Sequence, residues 1–137
     1  MNERINLHGT LAVVRPDLEN DPIRQQGEIG IITYVDEVNN EVYVIFDHGK
    51  EGTYQGEALL QFKTPDEVAA SPVDNAREME LRDYKDVYKI GSLLGLGRSE
   101  DLMTAMEIAR DNPNIWKDVF VTVGDRIEQC QKQLVGR

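Results

Sequence analysis

The chain has little of several residue types on which common kinds of site depend. It contains one cysteine, Cys130, and two histidines among 137 residues. A single cysteine excludes an internal disulfide and a cysteine-based zinc site. No apolar run approaches the roughly 18 residues that a membrane-spanning helix requires. The first six residues lack the apolar stretch of a signal peptide, so we expect a cytoplasmic protein outside the membrane.

Basic residues are also scarce. Lysine and arginine number 15 against 25 acidic residues, which gives a net charge of −10 at pH 7. Residues 1–63 carry a net charge of −6 and residues 64–137 a net charge of −4. Long-range repulsion therefore opposes generic binding to the phosphates of nucleic acids or anionic lipids. We expect a protein as the partner, rather than nucleic acid or a membrane.

The first half of the chain has the pattern of short strands separated by turn residues. Apolar residues alternate in several short runs, and Asn39 with Asn40 tolerates the backbone of a tight hairpin. A polar loop over residues 17–26 follows the first run and Pro16. Several short strands at this spacing predict a small barrel or sandwich. The candidate strands are residues 10–15, 27–35, 41–46, 53–55 and 58–62.

Residues after 63 change to helical patterns. Thr64, Pro65 and Glu67 form a helix-start signal with a capping box. Ser71 with Pro72 repeats the signal and predicts the start of a second helix. Apolar residues at spacings of three and four then predict further helices, the last over residues 115–134. Gly124 lies in the middle of that last segment, where it indicates either close packing or a bend.

Residues 9–62 resemble a known family. The segments Gly9–Arg15, Gly27–Thr33 and Val42–Phe46, followed by Gly52–Tyr54 and Ala58–Leu60, resemble Src-homology-3-like small barrels of the KOW and Mind-bomb types. The resemblance implies a barrel that binds RNA, ribosomal or transcription components, or peptides. The whole chain resembles uncharacterised bacterial proteins that join such a barrel to a helical tail.

The resulting prediction is an α+β fold. It has an N-terminal Src-homology-3-like small β-barrel over residues 1–63 and a linker with a short helix over residues 64–75. A helical segment of three or four helices follows over residues 76–137 and packs on the barrel.

Two surfaces are candidates for partner binding. Aromatic side chains on the strands can line a peptide groove, as Phe46 and three tyrosines suggest, and loops held by a rigid scaffold often supply its rim. The stripe of the last helix, if it is not fully covered, is a candidate for a partner or for a homo-oligomer. The candidate partner-binding residues are Tyr34, Tyr43, Tyr54, Asp17, Glu19, Trp116 and Phe120.

Other chemistry has weaker support. Residues 17–28 carry oxygen-bearing side chains at several positions of a calcium-binding loop, but Pro22 stands where the sharp turn needs glycine. His48 beside Asp47 suggests acid–base chemistry, but no serine or cysteine nucleophile stands in a recognisable context. The glycines of residues 91–98 resemble a phosphate-binding loop but lack its lysine. We therefore expect no catalytic residues, no metal and no cofactor. The favoured function is a non-enzymatic protein-interaction or adaptor module. The alternative, implied by the resemblance alone, is an RNA- or ribosome-associated regulatory protein, which a basic patch at Arg15, Arg24 and Lys50 would support.

Overall fold

The structure, a computed structural model, describes residues 7–21, 23–75 and 79–135. Pro22 and the first six residues, which entered the sequence arguments, lie outside these ranges. Over the described ranges the fold is mixed α+β, with an open six-stranded antiparallel sheet and five α-helices. No helix in this part of the chain combines the length and apolar character needed to cross a membrane.

The sheet is formed by five strands of the first half and one strand from near the C-terminus. The strands are β1 Leu11–Val14, β2 Ile29–Asp36, β3 Glu41–Phe46, β4 Glu51–Gln55, β5 Leu59–Phe62 and β6 Phe120–Thr122. Their order is β4-β3-β2-β1-β5-β6, and β1 pairs antiparallel with both β2 and β5. The prediction of a closed barrel is wrong, because the sheet is open. Because β6 occupies the outer edge of β5, β4 and β6 stand at the two ends of the order.

The helices begin after β5. They are α1 Pro65–Asn75, α2 Leu81–Leu96, α3 Ser99–Arg110, α4 Trp116–Val119 and α5 Val123–Val135. The single helix predicted over residues 115–134 is wrong, because β6 interrupts it at Phe120–Thr122. Val121 and Thr122 are β-branched, and such side chains suit a pleated strand better than a helix. Within the described residues, α1 lies in the predicted linker, and four helices, α2 to α5, follow it.

The start of α1 confirms the predicted capping box. The Thr64 hydroxyl accepts the Glu67 backbone N–H at 3.2 Å, and the Glu67 carboxylate accepts the Thr64 backbone N–H at 3.2 Å. The second helix start predicted at Ser71 is wrong, because α1 continues through Pro72. Ser71 instead donates its hydroxyl to the Asp118 carboxylate at 2.8 Å, so its side chain serves packing rather than a cap.

The chain divides into two compact units, residues 1–61 with 121–137 and residues 62–120. In the first unit, strand residues such as Ala12, Ile32 and Val44 form the core with Val123 and Ile127 of α5. Gly124 allows a close approach there, since a Cβ on Gly56 would lie 2.6 Å from the Gly124 backbone. The close-packing interpretation of Gly124 is thereby confirmed.

The second unit has a helical core of its own. Its helices α1 to α4 pack on one another through residues without solvent exposure. These include Val68 of α1, Val87 and Ile90 of α2, and Val119 of α4. Each comes from the apolar stripe of its helix, which places the polar side chains on the outer surface.

Candidate functional site

The loop between β1 and β2 is fastened to β4 by one carboxylate. Asp21 is buried and accepts the backbone N–H groups of Ile23 at 3.1 Å and Gln25 at 2.8 Å. It also accepts the Tyr54 hydroxyl at 3.0 Å. Burial, together with this bond to a carboxylate, raises the pKa of the Tyr54 phenol well above its ordinary value near 10. The loop is thus held at a fixed position beside β4.

The side chains of Gln25 and His48 also hold this loop in place. The Gln25 amide nitrogen donates to the Ile23 carbonyl at 2.8 Å, which leaves its oxygen to accept His48 Nε2 at 3.0 Å. His48 Nδ1 accepts the Lys50 backbone N–H at 3.3 Å. The neutral Nε2–H tautomer of His48 satisfies both contacts. His48 therefore links the β3–β4 turn to the loop.

An acidic cleft lies between the loop and the segment formed by β4 and the 3-10 turn Gly56–Ala58. Its volume is about 660 Å³. Three carboxylates line it, from Asp17, Glu19 and Glu57, against one cation, Arg15. Arg15 Nε donates to Asp17 at 3.0 Å, and this contact lowers the pKa of the Asp17 carboxyl. The cation is thus already paired, and the cleft presents a negative surface.

A second, smaller cleft lies beside the same strand. Its volume is about 360 Å³, and Asp21, Ile23, Tyr43 and Glu51 are among its lining residues. Thr53 and Tyr54 line both clefts. The middle of β4 is therefore the feature that the two depressions share.

The outer edge of β4 is unpaired within the sheet as described. Phe46 N–H bonds to the Lys50 carbonyl at 2.9 Å, which makes this residue pair a hydrogen-bonded one. In an antiparallel ladder such pairs alternate with pairs that point their N–H and C=O groups away. The alternation directs the backbone groups of Glu51, Thr53 and Gln55 outward, and all three residues are exposed. This edge can accept an additional strand.

The predicted aromatic groove is divided between the two faces of the sheet. Tyr34 and Tyr43 are cross-strand partners on the outer face, with ring centroids 5.6 Å apart in an edge-to-face arrangement. They are 60% and 41% exposed. Tyr54 instead lies in the core beside Phe46. Simple alternation would turn Tyr34 inward with Ile32, but a bulge between these two residues reverses its direction.

The remaining predicted partner residues have different environments. Asp17 and Glu19 are exposed at the acidic cleft. Phe120 is buried and stacks on Phe62, with ring centroids 5.1 Å apart. Trp116 is partly buried, and its indole N–H donates to the Ala109 carbonyl at 2.8 Å. The structure therefore brings Asp17, Glu19 and Tyr54 together at the acidic cleft, and Tyr34 with Tyr43 on the outer face, but not the whole set.

Two carboxylates of the calcium-like loop, Asp17 and Asp21, already have protein partners. Asp17 is bound by Arg15, and both oxygens of Asp21 accept protein donors. In the described part of the chain, no group of three or more His, Cys, Asp or Glu side chains is placed to hold a metal ion. The acidic loop thus gains its order from hydrogen bonds within the protein.

Sequence reasoning missed the most informative feature of the site, which is the outward edge of β4. Its acidic neighbours Glu51 and Glu57 were also missed. The signal was available in part, because residues 51–55 contain acidic and β-branched residues next to a turn. The strand order, however, had to be known before β4 could be recognised as an edge.

Comparisons of the chain with protein-family models, with curated proteins and with solved structures found no match.

Proposed function

We propose that this chain is a non-enzymatic protein-interaction module that binds a basic, extended segment of a partner protein along β4. The observation that carries the proposal is the outward edge of β4 between two clefts lined by carboxylates. An extended peptide adds to such an edge through main-chain hydrogen bonds, while side-chain pockets supply specificity. The binding residues are Thr53 and Gln55 of the edge with Asp17, Glu19 and Glu51 around it.

A Src-homology-3-like arrangement of the first five strands is part of this proposal. The order β4-β3-β2-β1-β5, the long loop after β1 and the 3-10 turn between β4 and β5 support it. In that arrangement the loop forms one wall of the acidic cleft. Peptide binding is among the functions that the resemblance implies.

The charge of the surface identifies the class of partner. Asp17, Glu19 and Glu57 outnumber Arg15 in the larger cleft, and the exposed Glu51 adds negative charge in the smaller one. Lysine or arginine side chains of an added strand would meet these carboxylates. The pairing of Arg15 with Asp17 also weighs against the alternative of an RNA-associated protein, which relied on Arg15 for a basic patch.

The test uses the full chain and a synthetic peptide in which lysine alternates with valine. Titration calorimetry is expected to show binding that weakens as salt is added. The same peptide with alternate backbone amides methylated cannot complete a strand ladder, and we expect it not to bind. Equal binding of the methylated peptide would contradict strand addition, because charge attraction alone would then account for the affinity.

Two variants and one control locate the site. Glu19→Lys reverses a charge at the cleft and is expected to weaken binding about three- to tenfold. Glu107→Lys, on the exposed surface of α3, makes the same change in net charge and should leave the affinity unaltered. Thr53→Pro removes an outward N–H and should abolish binding while the β3–β4 ladder persists. Equal losses in both lysine variants would refute the proposed location.

A further inference from the structure

One helix of the second unit carries an apolar stripe that is largely exposed. Leu81, Tyr84 and Tyr88 lie at spacings of three and four along α2, and Leu81 and Tyr88 are 68% and 66% exposed. Residues at this spacing line one side of a helix. The packing face is a different one, because Val87, Ile90 and Leu94 are buried in the core of the unit. The stripe is thus additional to the helix's structural face.

A row of cations runs beside this stripe. Arg82, Lys85 and Lys89 follow the same spacing one residue later, so the row lies about 100° around the helix from its apolar counterpart. All three residues are exposed, and none makes an ion pair with any residue that the structure describes. We refer to the stripe and the row together as the α2 face.

The two acidic residues of α2, Asp83 and Asp86, are hydrogen-bonded to Asn112 rather than to the cations of the α2 face. The Asn112 amide nitrogen donates to the Asp83 carboxylate at 3.0 Å and to the Asp86 carboxylate at 2.9 Å. Asp83 is buried and Asp86 partly so. Their charges are therefore held on the inner side of the helix. The α2 face remains cationic in a chain whose net charge is −10.

We infer that the α2 face docks an amphipathic acidic helix of a partner protein. Charge complementarity selects the occupant, since three unpaired cations flank exposed leucine and tyrosine side chains. Leu81 and Tyr88 are separated by seven residues, or about 10 Å of helix, which matches two turns of a partner helix. Exposed apolar residues at helical spacing are the usual elements of helix-to-helix recognition.

Other polyanions fit these observations less well. RNA and anionic bilayers carry far denser negative charge than a short acidic helix, so the net charge of −10 opposes them more strongly at long range. Tyrosine rings can stack on bases, but the exposed Leu81 side chain requires an apolar partner. An acidic helix supplies both the carboxylates and the apolar contact. This inference goes beyond the proposed function, because its surface belongs to the second unit and its ligand has the opposite charge.

The test uses the full chain and a designed acidic peptide with leucine at helical spacing and glutamate on its flanks. Nuclear magnetic resonance titration is expected to shift the amides of α2, and a glutamine-for-glutamate version of the peptide should bind at least about tenfold more weakly. The double variant Lys85→Glu with Lys89→Glu should lose binding and regain it with a lysine version of the peptide. Lys117→Glu, at another exposed lysine of the unit, is the control.

Tyr88→Ala tests the apolar part of the α2 face and is also expected to weaken binding, while Tyr34→Ala on the sheet should not. Failure of the acidic peptide to bind overturns the inference. Stronger perturbation of α2 by single-stranded oligouridine or by phosphatidylserine vesicles overturns the choice of occupant. Self-association in sedimentation that is lost in Tyr88→Ala also overturns the choice of occupant, because it identifies a second copy of this chain as the molecule that binds the α2 face. Binding along β4 involves none of these residues, so the two proposals succeed or fail separately.

Discussion

The Tyr54 hydroxyl donates a hydrogen bond of 3.0 Å to the carboxylate of Asp21, which lies 33 residues earlier in the chain. This bond joins strand β4 to the β1–β2 loop, and both elements line the acidic clefts. The edge that we propose to bind a partner is therefore positioned by a contact between a phenol and a buried carboxylate. Its loss should affect the fold and the site together.

Tyr54→Phe is expected to lower the free energy of unfolding by about 2 kcal/mol at neutral pH, the typical value of a hydrogen bond to a charged group. The raised pKa of Tyr54 favours the neutral phenol in the folded state. The contribution of the Tyr54 hydrogen bond to the free energy of unfolding is therefore complete below pH 10 and declines as the pH rises above that value. The difference between the two proteins should therefore shrink above pH 10. Hydrogen exchange of the β2 and β3 amides measures this difference in the free energy of unfolding.

The control for that prediction is Tyr43→Phe, which removes a hydroxyl from the exposed outer face. We expect its effect to stay within about 0.5 kcal/mol. An effect of Tyr54→Phe no larger than this would show that the Asp21 contact does not hold the loop.

Two glycine substitutions are expected to act in opposite directions. In Gly56→Ala the new Cβ would lie 2.6 Å from the Gly124 backbone, so the first unit should lose about 1–3 kcal/mol of stability. In Gly91→Ala the nearest neighbour is Val68 Cγ1 at 3.8 Å, and the site is within α2. This variant should gain about 0.5–1 kcal/mol through helix propensity. Thermal unfolding checks both, and a stabilised Gly56→Ala would disprove the close approach.

Asn112→Asp is expected to destabilise the second unit by about 2–4 kcal/mol at neutral pH. It removes the two donors to Asp83 and Asp86 and places a third carboxylate against them. Urea unfolding followed by fluorescence of Trp116, the single tryptophan, reports on this unit. Asn114→Asp, at an exposed neighbour, should have little effect, and an equal deficit in the two variants would contradict the prediction.

The capping box of α1 offers a further measurement. Thr64→Ala removes the hydroxyl that accepts the Glu67 N–H and is expected to cost about 1 kcal/mol. Thr64→Ser retains the oxygen and should cost less than half of that. Unfolding by urea with Trp116 fluorescence again provides the readout. Equal costs for alanine and serine would assign the effect to the lost methyl group instead.

The local features of the chain followed from its sequence. The alternation of residues 41–46 predicted β3 because a strand turns successive side chains to opposite faces. The capping box predicted the start of α1 because Thr64 and Glu67 satisfy each other's backbone donors. These signals depend on neighbours within a few residues. They therefore did not require knowledge of the fold.

The binding surfaces were decided by the tertiary structure. Tyr34 faces outward only because a bulge shifts the register of β2 against β3, and Phe120 entered a strand because the edge of β5 was free to pair. The acidic edge of β4 likewise exists only once the strand order is set. The sequence by itself determined the first five strands and the start of α1, through periodicity and capping, but not β6 or the division of residues 115–134. Register, edge position and the direction of a side chain depend on residues far apart in the chain, and so only the folded structure decided them.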